Sequence, residues 1–159
     1  MTINNIQLSK TIEADLYTLF EFQLDKEAIY WAAFTPSNPN DLTAYLEKYK
    51  KHIANPTINM QTIKINGEIV GSLAKYVMEN EAEITYWVDR KYWGQGIATN
   101  ALTEFLKTEL IRPIYGRVAF DNLGSQKVLE KCGFIKIGND FGYANARQME
   151  IEEFIYKLS

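Results

Sequence analysis

From Tyr86 to Leu106 the chain reads YWVDRKYWGQGIATNALTEFL, and no other stretch constrains the fold as much. It begins with the aromatic and β-branched residues of a strand. It ends with Ile97, Ala101, Leu102, Phe105 and Leu106 on one helical stripe. Gly94 and Gly96 stand where the period changes. Glycines at such a junction let backbone N–H groups turn inward, and the helix that follows adds the positive end of its dipole. A strand, a glycine loop and a helix in this order therefore form a cradle for an anion.

The rest of the chain alternates between the same two periods. Residues Ile3 to Ile12 read as an opening strand, and Ala14 to Phe22 as a helix carrying Leu16, Leu19 and Phe20 on one side. Phe34 to Asp41, FTPSNPND, is a loop. Asp41 caps a second helix whose stripe is Leu42, Tyr45, Leu46, Tyr49 and Ile53. TINMQTIKI and EIVGSLAKYVM flank Asn66-Gly67, a strong hairpin signal, and AEITYWV follows a polar turn at Glu79 to Glu81. After the glycine loop and its helix come Pro113, the strand IYGRVAF, and a short helix capped by Asp121 or Asn122 and closed by Gly133. FIKI and ARQMEIEEFIYKL complete the set as strands. The expected fold is one α/β (α+β) domain over residues 1–159. Its centre is a mixed, mostly antiparallel sheet of about seven strands, flanked by about four helices.

Composition narrows the function. A net charge of -3, with no basic cluster beyond EKYKKH, gives no footprint for nucleic acid. One cysteine, Cys132, excludes an internal disulfide, and with a single histidine, His52, it leaves no Cys/His zinc site, so no metal is expected. His52 lies at a helix end, where it complements the dipole, and Cys132 reads as an apolar filler. No apolar run approaches a membrane span, and MTINNIQLSK lacks the pattern of a signal peptide. The expectation is a cytoplasmic protein, monomeric or homodimeric.

The glycines alone leave several ligands open. A dinucleotide fold matches Gly-x-Gly and offers Asp121 as a ribose-binding acid. However, Thr99 replaces the third glycine, and only about 40 residues follow where further strand–helix units are needed. A nucleotide P-loop fails because no Gly-Lys-Ser/Thr follows. A plain turn with no ligand is the remaining reading.

Two motifs taken together go further. AEITYWVDRKYWGQGIATNAL followed by VAFDNLGSQKVLEKCGF resembles the GNAT superfamily of acetyl-CoA-dependent N-acetyltransferases, and within it the branch of Rim-type ribosomal-protein alanine acetyltransferases. The family's cofactor loop, Gln/Arg-x-x-Gly-x-Gly/Ala, aligns with Trp93-Gly94-Gln95-Gly96-Ile97-Ala98; Gly96 and Ala98 match, and Trp93 departs from the pattern. The resemblance implies acetyl-CoA as co-substrate, with its pyrophosphate over Gln95, Gly96, Ile97, Ala98 and Thr99 and its pantetheine arm paired with Trp87 and Val88. It implies that Asn122 bonds this arm and that Ser125 offers its hydroxyl to the departing sulfur. Many relatives carry a tyrosine acid at the position of Leu129; its absence puts more weight on Ser125. Tyr30, Trp31 and Phe34 fall where the family's first helices wall the acceptor pocket. Glu83 shares a strand face with Thr85 and Trp87 and is the candidate base, against the reading of a surface glutamate beside Glu79 and Glu81. The implied activity is acetyl transfer by direct attack of a primary amine, either a protein N-terminus or a small molecule. The alternative is a CoA-binding sensor or scaffold module without catalysis.

Overall fold

The computed structural model describes residues 5–159. Among these residues seven strands form one sheet: β1 (Ile6–Lys10), β2 (Asn59–Ile65), β3 (Glu68–Met78), β4 (Glu81–Val88), β5 (Ile114–Ala119), β6 (Ile135–Ala144) and β7 (Met149–Leu158). Their order in the sheet is β1-β2-β3-β4-β5-β7-β6. Among the described residues there are five α-helices: α1 (Leu16–Phe22), α2 (Lys26–Ala32), α3 (Leu42–Ala54), α4 (Ile97–Thr108) and α5 (Leu123–Lys131). The part of the expected first strand before residue 5 lies outside the described residues.

Local chemistry accounts for most of these elements. The β2–β3 hairpin closes on Asn66 and Gly67, both at positive φ, as a tight hairpin turn demands. Asp41 caps α3 by accepting from the Ala44 N–H, and Asn122 caps α5 by accepting from the Ser125 N–H. Helix α2 was not expected, because among its seven residues only Ala28 is buried and no apolar stripe marks it. Its start is set by Asp25, whose carboxylate accepts from the N–H groups of Glu27 and Ala28. Strand β6 extends seven residues beyond FIKI, to Ala144. It lies at the sheet edge, with most side chains exposed, so no alternation reveals its length.

Two cores lie on opposite faces of the sheet. Ile97, Ala101, Leu102 and Phe105 of α4 and Leu129 of α5 pack on Ile63, Leu73, Ile84 and Val88. Leu16 and Leu19 of α1 pack on Met60 and Ala74, with Tyr45 and Tyr49 of α3 against them. The strands alternate, so Ala82, Ile84, Tyr86 and Val88 of β4 serve the first face while Glu83, Thr85 and Trp87 face the other.

Every neighbouring pair is antiparallel except β4 and β5. Those two run parallel and pair at only three positions, Ala82 with Ile114, Glu83 with Tyr115 and Ile84 with Gly116. Beyond them the strands separate, and the rest of β4 has a partner only in β3. A cleft thus opens in the middle of the sheet beside Tyr86, Trp87 and Val88.

Candidate active site

One end of the cleft leads into the glycine loop. After β4 the chain makes a 3-10 turn at Arg90–Tyr92 and enters α4 through Gly94 (φ 78) and Gly96 (φ 78, ψ 11). Both glycines are left-handed, a conformation that costs other residues steric strain. The first helical bond runs from the Asn100 N–H to the Gly96 carbonyl. The N–H groups just before it have no intrahelical acceptor, so they are free for an anion, with the helix dipole behind them.

Trp93, which departs from the family pattern, has a structural role. Its indole Nε1 donates to the Val88 carbonyl at 2.9 Å and ties the loop to the end of β4. The backbone of β4 also alternates in direction. The Asp89 N–H bonds the Val70 carbonyl of β3, and the Trp87 carbonyl lies so close to Gly71 that an added Cβ there would collide with it. The backbone groups of Trp87 thus point to β3, and those of Tyr86 and Val88 point to the open cleft.

Asn122 and Ser125 open α5. The Asn122 side chain uses both ends: Oδ1 accepts the Ser125 N–H at 3.2 Å, and Nδ2 donates to the Trp31 carbonyl at 3.2 Å. That second bond brings α2 to the start of α5. Arg147 reinforces it, gripping Asp121 with both guanidinium arms at 2.8 and 2.9 Å, donating to the Tyr30 carbonyl at 2.8 Å, and lying 4.0 Å over the Tyr30 ring. Asp121, which the dinucleotide reading offered to a ribose, is held by this pair instead.

The Ser125 hydroxyl lies 2.6 Å from the hydroxyl of Tyr86. Sequence reading missed Tyr86: it belongs to the core face of β4, and nothing in the local pattern says that α5 starts beneath it. Leu129, where relatives carry a tyrosine, is fully buried and touches Gly116 and the α4 core.

On the opposite face, Glu83 is 2 % exposed, in contrast to the exposed Glu79 and Glu81 of the preceding turn. The Arg117 Nε stands 3.3 Å from its Oε1, but without the alignment of a hydrogen bond, and the Tyr76 hydroxyl stands 3.5 Å away. Arg117 also pairs with Glu153 at 2.9 Å and Asp140 at 3.8 Å. Burial raises the Glu83 carboxyl above its usual range, the Arg117 charge pulls it back, and the net shift is upward.

On the Glu83 and Trp87 face lies a cavity of about 200 Å³ between α1, α3 and the centre of the sheet, reached by Tyr45, Tyr49, Met60, Ser72, Thr35 and Trp87 among others. Among the described residues, the buried Trp87 Nε1 and Thr35 Oγ1 have no hydrogen-bond partner. Tyr30, Trp31 and Phe34 do not line this cavity. Tyr30 and Trp31 meet edge to face at 5.3 Å above the α5 start, and Phe34 packs toward Gly142 of β6.

Two minor residues also find their place. Burial and Lys48 lower the His52 pKa, which keeps the ring neutral near pH 7; it packs edge to face on Tyr49 rather than complementing the helix dipole with a charge. Burial raises the Cys132 thiol above its usual range, which favours the protonated form. No helix among the described residues is long and apolar enough to cross a membrane.

The fold is shared with solved structures. Microcin C7 self-immunity acetyltransferase MccE, in complex with acetyl-CoA and AMP, superposes with a TM-score of 0.81 at 19% identity, over 98% of this chain and 92% of that one. RimL, the ribosomal L7/L12 α-N-protein acetyltransferase in complex with coenzyme A, gives 0.78 at 20% identity, over 96% and 93%. Spermidine N-acetyltransferase from Vibrio cholerae, with CoA and spermine, gives 0.79 at 17% identity, over 96% and 95%. No curated protein sequence matches. The family model described as acetyltransferase (GNAT) domain matches residues 5–135. Spanning most of the 159 residues, that match places the cleft, the cradle and the α5 start in one domain: the chain belongs to the GNAT family of acetyltransferases.

Proposed function

We propose that the protein transfers an acetyl group from acetyl-CoA to a primary amine by direct attack. The observation that carries this reading is the cleft between β4 and β5, with the glycine cradle at its end and polar groups on both of its faces. The pyrophosphate lies on the backbone N–H groups from Gln95 to Thr99, next to Gly94. The pantetheine arm extends β4 as an added strand through the open backbone groups of Val88, beside Trp87. Trp93 acts indirectly, by holding the loop against Val88. Asn122 orients the start of α5 and faces the arm. Ser125 hydrogen-bonds the sulfur as the C–S electron pair moves onto it, which stabilises a thiolate of ordinary pKa near 8.5. Glu83, raised by burial, takes the amine proton through water.

The acceptor enters from the Glu83 face, and its amine end occupies the cavity under α1 and α3, which Glu83 itself does not line, so the proton passes to Glu83 through water; Tyr30, Trp31 and Phe34 form an outer lip. The cavity, at about 200 Å³, is below the roughly 300–1,000 Å³ of pockets for drug-sized ligands, so it suits one residue or a small amine. The indole N–H of Trp87 can only donate, and among the described residues it has no acceptor. A peptide N-terminus brings a carbonyl oxygen two bonds from its amine carbon; a polyamine brings none. Lys48 and Asp41 both line the cavity and offset each other, so no acidic surplus recommends a polycation. An N-terminal peptide amine is therefore the preferred acceptor. The test follows thiol release from acetyl-CoA with a peptide beginning with alanine, free alanine and spermidine. Acceleration by the peptide supports the reading. Preference for spermidine refutes the acceptor, and tight acetyl-CoA binding with no acceleration by any amine identifies a sensor or scaffold module instead.

A further inference from the structure

We infer that Tyr86 is a positioning residue for the reaction, holding the Ser125 hydroxyl so that its hydrogen is directed at the leaving sulfur. The inference rests on the acetyl-transfer reading and adds a residue to it. The Tyr86 oxygen lies 2.6 Å from Ser125 Oγ and 3.1 Å from the Ser125 carbonyl, and the Ser125 N–H is already fixed by Asn122. A serine hydroxyl carries one hydrogen and rotates freely unless a partner selects its direction. With the phenol donating to Oγ, that hydrogen has no place on Tyr86 and is left for another acceptor. If the hydroxyl instead donated to the phenol, it would be lost to the sulfur; the Tyr86 hydrogen would then sit on the Ser125 carbonyl. An incoming thioester sulfur selects the first arrangement.

Tyr86 does not serve as the acid itself. Burial raises its phenol well above the usual range, while the Ser125 hydrogen bond opposes the shift only partly, so a phenolate is disfavoured. The step therefore balances without it. The amine nitrogen forms its bond to the carbonyl carbon, the C–S bond breaks, and the electron pair goes to sulfur under the Ser125 hydrogen bond. The amine proton leaves toward Glu83 or water. A phenol supplied by β4 also explains how the site tolerates Leu129: that helix position is filled by an apolar side chain packed on Gly116, and the hydroxyl arrives from the strand below.

A double-mutant cycle of Tyr86→Phe and Ser125→Ala tests this, with kcat and the KM for acetyl-CoA measured for the four proteins. Tyr86→Phe lowers kcat by about tenfold and leaves KM within about twofold, since the ring stays and only the oriented hydrogen bond is lost. In the Ser125→Ala background the same change has no further effect on kcat, because nothing is left to orient. Replacing Tyr86 with 3-fluorotyrosine, which keeps the hydroxyl, retains kcat within about twofold of wild type, and an unfolded fraction in Tyr86→Phe no larger than in wild type, read by urea unfolding, separates loss of the bond from loss of folding. Undiminished kcat in Tyr86→Phe overturns the inference. So does an equal loss in both backgrounds, which is what a purely structural tyrosine gives. In both of these cases the wild-type protein still transfers acetyl groups, so the proposed function stands; a wild-type protein that transfers none overturns both.

Discussion

Replacing Glu83 by Gln separates proton transfer from architecture. The substitution keeps shape and removes charge. Arg117 keeps Glu153 at 2.9 Å and Asp140 at 3.8 Å, and its side chain is 29% exposed, so it is not left as a bare buried charge. The stability change should stay within about 1 kcal/mol, because the burial cost that the Glu83 charge carries is removed together with its attraction to Arg117. Loss of a positioned base should lower kcat by about 10²–10⁴, or roughly 3–5 kcal/mol of barrier at about 1.4 kcal/mol per decade. Burial, partly opposed by Arg117, holds the Glu83 carboxyl above 4.5, so the basic form fills at a higher pH than for an ordinary glutamate. The kcat profile should rise through that raised value in wild type and lose the limb in Glu83→Gln. Stability carries the opposite sign. The folded protein holds this proton more tightly than the unfolded chain. Its contribution is therefore complete below the ordinary value and is lost as pH rises through the raised one. The variant should show a flatter dependence in that window. Kinetics and urea unfolding, each followed from about pH 4 upward, provide both readouts. If kcat stays within about threefold of wild type with the rising limb intact, Glu83 is not the base and its burial with Arg117 is purely structural.

Three further substitutions test the frame around the site. Arg147→Ala removes a side chain that is 6% exposed and joins Asp121, the Tyr30 carbonyl and the Tyr30 ring; with Asp121 able to recover water, the cost should be about 3 kcal/mol by urea unfolding. Gly71→Ala should cost about 2 kcal/mol or more in the same assay, because the new Cβ meets the Trp87 carbonyl and the backbone of Val88, and backbone cannot rotate away as a side chain does. Thr62→Val preserves volume but removes the hydroxyl that donates to Asp15 Oδ2 and pairs with Thr11 Oγ1, each at 2.9 Å among fully or nearly buried groups; about 1–3 kcal/mol should be lost.

Legibility followed burial. Strands β3 and β4 and the stripe of α4 lie half or wholly in the core, so their residues had to repeat at the periods that were read. Helix α2 and strand β6 lie at the margin: one buries a single alanine, the other exposes Ile135, Phe141 and Tyr143, and neither needed a pattern that a reader could find. The site residues divide in the same way. The cradle was legible because Gly94 and Gly96 serve a local backbone geometry, complete within a few residues. Trp93 could be marked as a departure, but its bond to the Val88 carbonyl depends on how the loop folds back. Tyr86 and Ser125 are 39 positions apart and meet because Tyr86 projects from β4 to the face of the sheet on which α5 begins.

That early end to the pairing has a chemical consequence in the proposed reaction. An acyl carbon under attack needs a proton acceptor on the side where the amine arrives and hydrogen-bond donors on the side where sulfur departs, and a single surface rarely presents both without letting them neutralise each other. Strand alternation solves this through geometry. Glu83 and Trp87 project to the face that carries the cavity, and Tyr86, one residue away from Trp87, projects to the face of α5 and Ser125. With full pairing of β4 to β5 the sheet would seal these faces from each other. Because the ladder ends at Ile84 and Gly116, a thioester can reach both from within the plane of the sheet. The division of labour also explains why burial is useful on one face and harmless on the other: it raises the carboxyl that must take a proton and keeps the phenol that must retain one from giving it up.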